Sequence, residues 1–111
     1  MTATAEATTR CWTLAGQVRD RAAARPTDVA MRAKRLGIWS DVSWAEYAEQ
    51  VDLVGHALLG LGIEPGDRVA IVLPQCPEAA IAQIAICQMG ALAVPLSPFL
   101  GPDPLEYRLG D

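Results

Sequence analysis

This 111-residue chain is poor in the side chains that most often carry chemistry: it has one histidine (His56), one lysine (Lys34) and one phenylalanine. A single imidazole with no neighbouring nucleophile leaves no Ser–His or Cys–His pair to activate. Three cysteines (Cys11, Cys76 and Cys87) are odd in number and form no C-x-x-C, so neither a disulfide framework nor a zinc site follows. With aromatics at 5% and a net charge of −4, electrostatic capture of nucleic acid or of an anionic membrane is not expected. Long apolar runs are also missing. The longest, residues 79–96, is interrupted by Gln83, Gln88, Gly90 and Pro95, which suits a helix–turn–strand better than a membrane span. The opening MTATAEATTRCWTLAG has no basic start followed by an apolar stretch, so a secretory leader is not expected and a reducing cytoplasm is the simplest compartment.

What is present is apolar content, at 51%, enough for a core. Charge is polarised. Residues 1–40 hold seven Lys/Arg and three Asp/Glu, whereas residues 41–111 hold two and ten. Arg32, Lys34 and Arg35 form a small basic cluster, read as a solvated face.

Residues 1–11 are Thr/Ala-rich without periodicity and read as a flexible lead-in. Thr13 is placed to cap a helix running to Ala24, stopped by Arg25-Pro26 because the residue before proline avoids helical angles. Residues 29–35 and 38–44 are two extended runs around Leu36-Gly37, the pattern of a β-hairpin. Ser43-Trp44-Ala45-Glu46 is a capping box. Behind it Tyr47, Val51, Val54, Leu58 and Leu61 form one helical stripe ended by Gly62, with His56 on the solvent side. Pro65-Gly66 makes a turn into the apolar run 68–73, which reads as a strand buried on both faces in a parallel sheet. Pro77 opens a helix to about Met89, with Ile81, Ile84, Ala85 and Gln88 on one side, and Gly90 ends it. Residues 91–96 form a second such strand. Asp103-Pro104-Leu105-Glu106 then starts a last helix with a cap-like D-x-x-E.

The expected fold is therefore α/β: a partial parallel sheet with crossover helices, preceded by a β-hairpin, the crossover being right-handed. The helices supply cover for one sheet face only, so the sheet reads as incomplete.

No constellation of reacting groups emerges, and no catalytic, cofactor-binding or metal-binding residue is assigned. Lys34 follows no glycine-rich turn, so there is no Walker loop. Gly60, Gly62 and Gly66 follow a helix and precede a strand, the reverse of a phosphate cradle, and read as a helix cap plus a turn. Cys76 lies next to a helix N-terminus, where a thiolate gains stability, but a filler or capping role fits it better. Asp67 and Arg68 read as structural or solvated, and Glu46, Glu49 and Asp52 as ordinary charges near a helix start.

Three patches in order do carry a resemblance. Ser43-Trp44-Ala45-Glu46-Tyr47 resembles a Thr/Ser-Tyr-x-Glu-Leu motif, Gly62–Ala70 a G-hydrophobic-x-x-GDRVA turn and strand, and Gln88–Leu96 a Lys-x-Gly-Ala-x-x-x-Pro stretch. Together they are similar to the start of the AMP-dependent synthetases and ligases, the adenylate-forming enzymes. The tail Phe99–Leu109 is closer to acyl-CoA synthetases of the acetyl- to medium-chain type. Gln88 stands where lysine is common, and Gln75-Cys76 where Asn-Ser is frequent.

The resemblance implies that residues 12–111 are a partial N-terminal subdomain of an enzyme that activates a carboxylic acid with ATP and magnesium and passes the acyl group to coenzyme A. The family's phosphate loop, magnesium motif, ribose-binding Asp and C-terminal catalytic Lys have no counterpart in these residues. The expectation is thus a scaffold fragment without activity of its own, whose partner is the remainder of the synthetase. Two alternatives stand beside it: an interaction module docking or self-associating through the uncovered sheet face, and a flavodoxin-like or receiver fold. The loops Pro74-Gln75-Cys76-Pro77 and Ser97-Pro98 suit neither flavin nor phosphate.

Overall fold

A computed structural model describes residues 13–110. The expected lead-in over residues 1–11, with Cys11, lies outside the described residues. The elements run α1 (Leu14–Ala24), β1 (Val29–Arg35), β2 (Ile38–Ser43), α2 (Trp44–Gly60), β3 (Arg68–Val72), α3 (Pro77–Gln88), β4 (Leu92–Leu96) and α4 (Pro102–Leu109). This is the expected order, with boundaries shifted by a residue or two.

Local chemistry sets most of those boundaries. The Thr13 hydroxyl accepts the Gly16 amide at 3.0 Å and starts α1. The β1–β2 pair is antiparallel around Leu36-Gly37, and both turn residues have positive φ (51° and 80°), as a two-residue hairpin of the favoured twist requires. Ser43 and Glu46 close their capping box from both sides, Glu46 N donating to Ser43 Oγ at 3.1 Å and Ser43 N to Glu46 Oε1 at 3.2 Å. The amides of Trp44 and Ala45 donate to the carbonyls of Asp28 and Pro26, so the open end of α2 is satisfied by the loop before the hairpin.

Helices α2 and α3 end in the same way. Gly62 N donates to Leu59 O and Ile63 N to Leu58 O; Gly90 N donates to Cys87 O and Ala91 N to Ile86 O. These are two Schellman motifs, each with its glycine at positive φ (92° and 83°). Each also carries the apolar contact such motifs favour, because Ile63 with Leu58 and Ala91 with Ile86 belong to one cluster. Leu61, expected on the buried stripe of α2, is 79% exposed. The helix stops at Gly60, the cap residue swings outward, and Ile63 takes the inward place.

Strands β3 and β4 pair in parallel, from Arg68 opposite Leu92 to Val72 opposite Leu96. They form a separate two-stranded sheet from the hairpin. Helix α3 is the wall between two cores. Its Ile84 and Ala85 meet Ala15 and Val18 of α1 and Tyr47 and Val51 of α2. Its Ile86 meets Ile71 and Ala91 at the strands, with Leu58 and Ile63 alongside. Burying a side chain such as Val51 or Ile86, each almost completely enclosed, is worth about 1.5–3 kcal/mol. Helix α2 packs mainly on α3 and reaches the strand cluster through Leu58, so the sheet's cover comes chiefly from the crossover helix.

Burial on both strand faces, expected from the apolar runs, is not what the described residues show. Ile71 is buried and Val69 half-buried, whereas Ala70, Val72 and Leu92 are exposed. One face of the sheet lies against α3; the other is only partly covered, with Val94 and Leu96 half-buried beside these exposed residues. Helix α4 has no buried residue; it starts after Gly101 with Pro102 at its first position, and no side chain caps it. Asp103, expected as its cap, instead lies inside the first turn. Two early prolines suit a turn whose amides need no partner.

Candidate functional site

The polar and glycine residues of the second and third motifs converge where α2 and α3 hand the chain to β3 and β4. Gly66 N donates to Gly90 O at 2.9 Å, and Leu92 N to Asp67 O at 2.7 Å. Around the turn between them, Asp67 N donates to Glu64 O at 3.1 Å while Asp67 Oδ2 accepts Glu64 N at 2.8 Å. A side chain on Gly90 would meet Pro65 Cβ at 3.4 Å. The two motifs are therefore one backbone junction, and it sets the register of the parallel pair.

The carboxyl ends of β3 and β4, where open α/β sheets place their ligands, lead into the loops 73–76 and 97–101. Ser97 Oγ accepts Phe99 N at 3.2 Å, and Leu100 N donates to Ser97 O, a local turn that leaves Phe99 exposed. Cys76 occupies the N-cap position of α3 without a side-chain cap bond. Two residues on, the Glu78 carboxylate pairs with Arg35 of the hairpin. The bond from Glu78's own backbone amide, then those from Arg35 and Cys76, hold that carboxyl below its ordinary value. An open cleft of about 480 Å³ lies alongside, lined by Arg32, Lys34, Trp39, Gln75, Cys76 and Pro77 among others.

The remaining charged residues are distributed over structural tasks. His56 is exposed, its Nδ1 2.7 Å from the carbonyl of Asp52. Arg32 pairs with Asp41 at 3.1 Å, and the Lys34 ammonium stands 5.7 Å from the centre of the Trp39 ring. Asp52 does more than an ordinary helix charge: its Oδ1 accepts from Arg19 Nη2 at 3.2 Å and from Gln88 Nε2 at 3.0 Å, tying α1, α2 and α3 together. The sequence gives no local signal for this, since residues 19, 52 and 88 are far apart along the chain. Tyr47 stacks on Trp44 with ring centres 6.0 Å apart and donates its hydroxyl to Ala80 O at 3.2 Å. Burial raises its pKa above the ordinary phenol value.

Among the described residues no three His, Cys, Asp or Glu gather to hold a metal. Gly62 and Gly90 end helices, and Gly66 shapes a turn leading into a strand. The described residues at these turns do not fit a magnesium ion or a nucleotide phosphate. No helix among the described residues is long and apolar enough to cross a membrane.

A family model described as AMP-binding enzyme matches residues 18–111. The chain is 39% identical over 70 residues to an acetyl-coenzyme A synthetase of Rhodobacter capsulatus, covering 63% of this chain and 11% of that enzyme. It is 42% identical over 75 residues to the long-chain-fatty-acid–CoA ligase FadD15 of Mycobacterium tuberculosis, covering 68% and 12%. Among solved structures, the acetoacetyl-CoA synthetase from Streptomyces lividans superposes with a TM-score of 0.80 at 30% identity, over 86% of this chain and 15% of that one. The chain thus spans about a ninth of the length of these two curated relatives.

Proposed function

Because the chain belongs to the AMP-binding enzyme family, we propose that it is the N-terminal scaffold portion of an acyl-CoA synthetase and holds none of the reacting groups. In the complete reaction a carboxylic acid, ATP and coenzyme A give acyl-CoA, AMP and pyrophosphate, with magnesium at the phosphates. The phosphate loop, the magnesium ligands and the catalytic lysine belong on this reading to sequence beyond these residues. Acetate, a medium-chain acid and a fatty acid all remain within the substrate class, since the named relatives include both acetyl- and long-chain enzymes.

One observation carries the reading. Ser43 and Glu46 cap α2, Asp67 closes its own turn, and Gly66 N donates to Gly90 O. Groups spent on the backbone are not offered to a ligand. The partly covered β3–β4 face and the unpacked α4 supply surface on which the rest of such a domain would be built.

Two assays test this. The isolated chain is expected to give no ATP–pyrophosphate exchange with acetate, octanoate or palmitate; measurable exchange by pure protein overturns the scaffold reading. Grafted in place of the matching segment of the Rhodobacter capsulatus acetyl-coenzyme A synthetase, the chain is expected to keep acetate-dependent exchange. A folded but inactive chimera would count against it.

A further inference from the structure

The β1–β2 tip is built against local preference. Leu36 has φ 51° and is fully exposed. A glycine or asparagine would adopt that backbone without strain, and an apolar side chain in water gains nothing by being there. Neither conformation nor packing among the described residues accounts for leucine at this position. Ile38 and Trp39 follow it, 71% and 65% exposed, so three large apolar side chains crowd four consecutive positions of one turn. Basic residues stand beside them across the hairpin, Arg35 opposite Ile38 and Lys34 opposite Trp39. Arg32 pairs with Asp41 and Arg35 with Glu78, both exposed pairs of the kind that stabilise little. Lys34 pairs with no carboxylate among the described residues and lies over the Trp39 ring.

An exposed apolar tip flanked by cations on long stems suits a lipid interface, where apolar side chains reach the acyl boundary and Lys/Arg heads extend to the phosphates. We propose that this tip docks reversibly on an anionic phospholipid surface. Leu36 and Ile38 enter the headgroup–acyl boundary, Trp39 lies at the interface, and Lys34 faces lipid phosphates. The overall charge of −4 argues against capture by the chain as a whole, but the cations are gathered locally: seven of the nine Lys/Arg lie within residues 1–40, against three acids. The proposal is independent of the synthetase assignment.

The test is co-sedimentation of the 111-residue chain with phosphatidylcholine vesicles, with and without phosphatidylserine, after subtraction of protein that pellets alone. Binding is expected only with phosphatidylserine and should weaken with added salt. Lys34→Gln should lower the partition about five-fold. Leu36→Asn should lower it about tenfold while leaving the melting temperature equal or higher, since asparagine suits the turn. That pairing separates lipid contact from folding. Binding equally to phosphatidylcholine alone, or undiminished in Leu36→Asn, overturns the proposal. So does absence of binding to phosphatidylserine vesicles, which would leave the tip to a protein partner.

Discussion

Gly90 and Pro65 are in contact across the junction of the two parallel strands: a Cβ built on Gly90 stands 3.4 Å from Pro65 Cβ, and Gly90 has φ 83°. An added methyl would therefore sit in ordinary contact with Pro65, and it is the left-handed backbone that disfavours other residues. Gly90→Ala is expected to destabilise the chain by about 1–2 kcal/mol, from the left-handed backbone alone. Gly60 is the control. It lies within α2, its φ is not positive, and a Cβ there meets nothing within 4 Å. Gly60→Ala should stabilise by about 0.5–1 kcal/mol. Urea denaturation followed by circular dichroism reads both, and equal effects would contradict the assigned geometry.

Asp52 links three helices, and its two partners are expected to couple. Asp52→Ala should cost about 1 kcal/mol, a modest value because the ion pair is half-exposed. Gln88→Lys exchanges a neutral donor for a charged one facing the same oxygen. Its stability should change by less than about 0.5 kcal/mol but become salt-dependent, weakening as sodium chloride is raised. A double-mutant cycle between positions 52 and 88 measures the coupling. A coupling of zero would show that the amide does not contribute.

The Glu78 carboxyl titrates lower in the folded chain than in the unfolded one. Its contribution is then complete above the ordinary carboxylate range and is lost as pH falls through the lowered value. In Glu78→Gln and in Arg35→Gln the acid side of the stability profile should be flatter than in the parent. An unchanged acid limb in both would show that the hairpin is not held to α3 by this pair.

Tyr47 gives the opposite limb. Its phenol is raised by burial, so its contribution is complete below pH 10 and is lost as pH rises through the higher folded value. Tyr47→Phe should remove that alkaline dependence while losing the bond to Ala80 O, about 1 kcal/mol at neutral pH. Absorbance of the tyrosinate followed beside circular dichroism distinguishes ionisation from unfolding.

Much of this fold is legible in the sequence because its punctuation is local. A capping box, two Schellman glycines and a two-residue turn each depend on side chains within six residues of one another. Family membership was readable for the same reason, since the three matching motifs are largely that punctuation. What escaped the sequence depends on who stands opposite. The second buried side of α3, marked by Ile86, cannot be separated by periodicity from an amphipathic stripe in a helix that is apolar nearly all round. The outward Leu61 follows from a cap displaced by one residue. The bridging role of Asp52 requires α1 and α3 to be in place before Arg19 and Gln88 come within reach. For the candidate site, the helix cap at Gly62 and the turn at Pro65-Gly66 were legible, whereas the Gly66 N to Gly90 O bond that joins the two motifs needs both strands in place.

Helix α3 lies between the two apolar clusters, with Ile84 and Ala85 on one side and Ile86 on the other. Neither cluster can lose its order without stripping a wall from its neighbour. Heat or denaturant should therefore meet one cooperative unit, with the slowest amide hydrogen exchange along α3 and faster exchange at the hairpin tip and in α4. The helix that connects the two strands is also what makes the three-helix cluster and the parallel pair melt together.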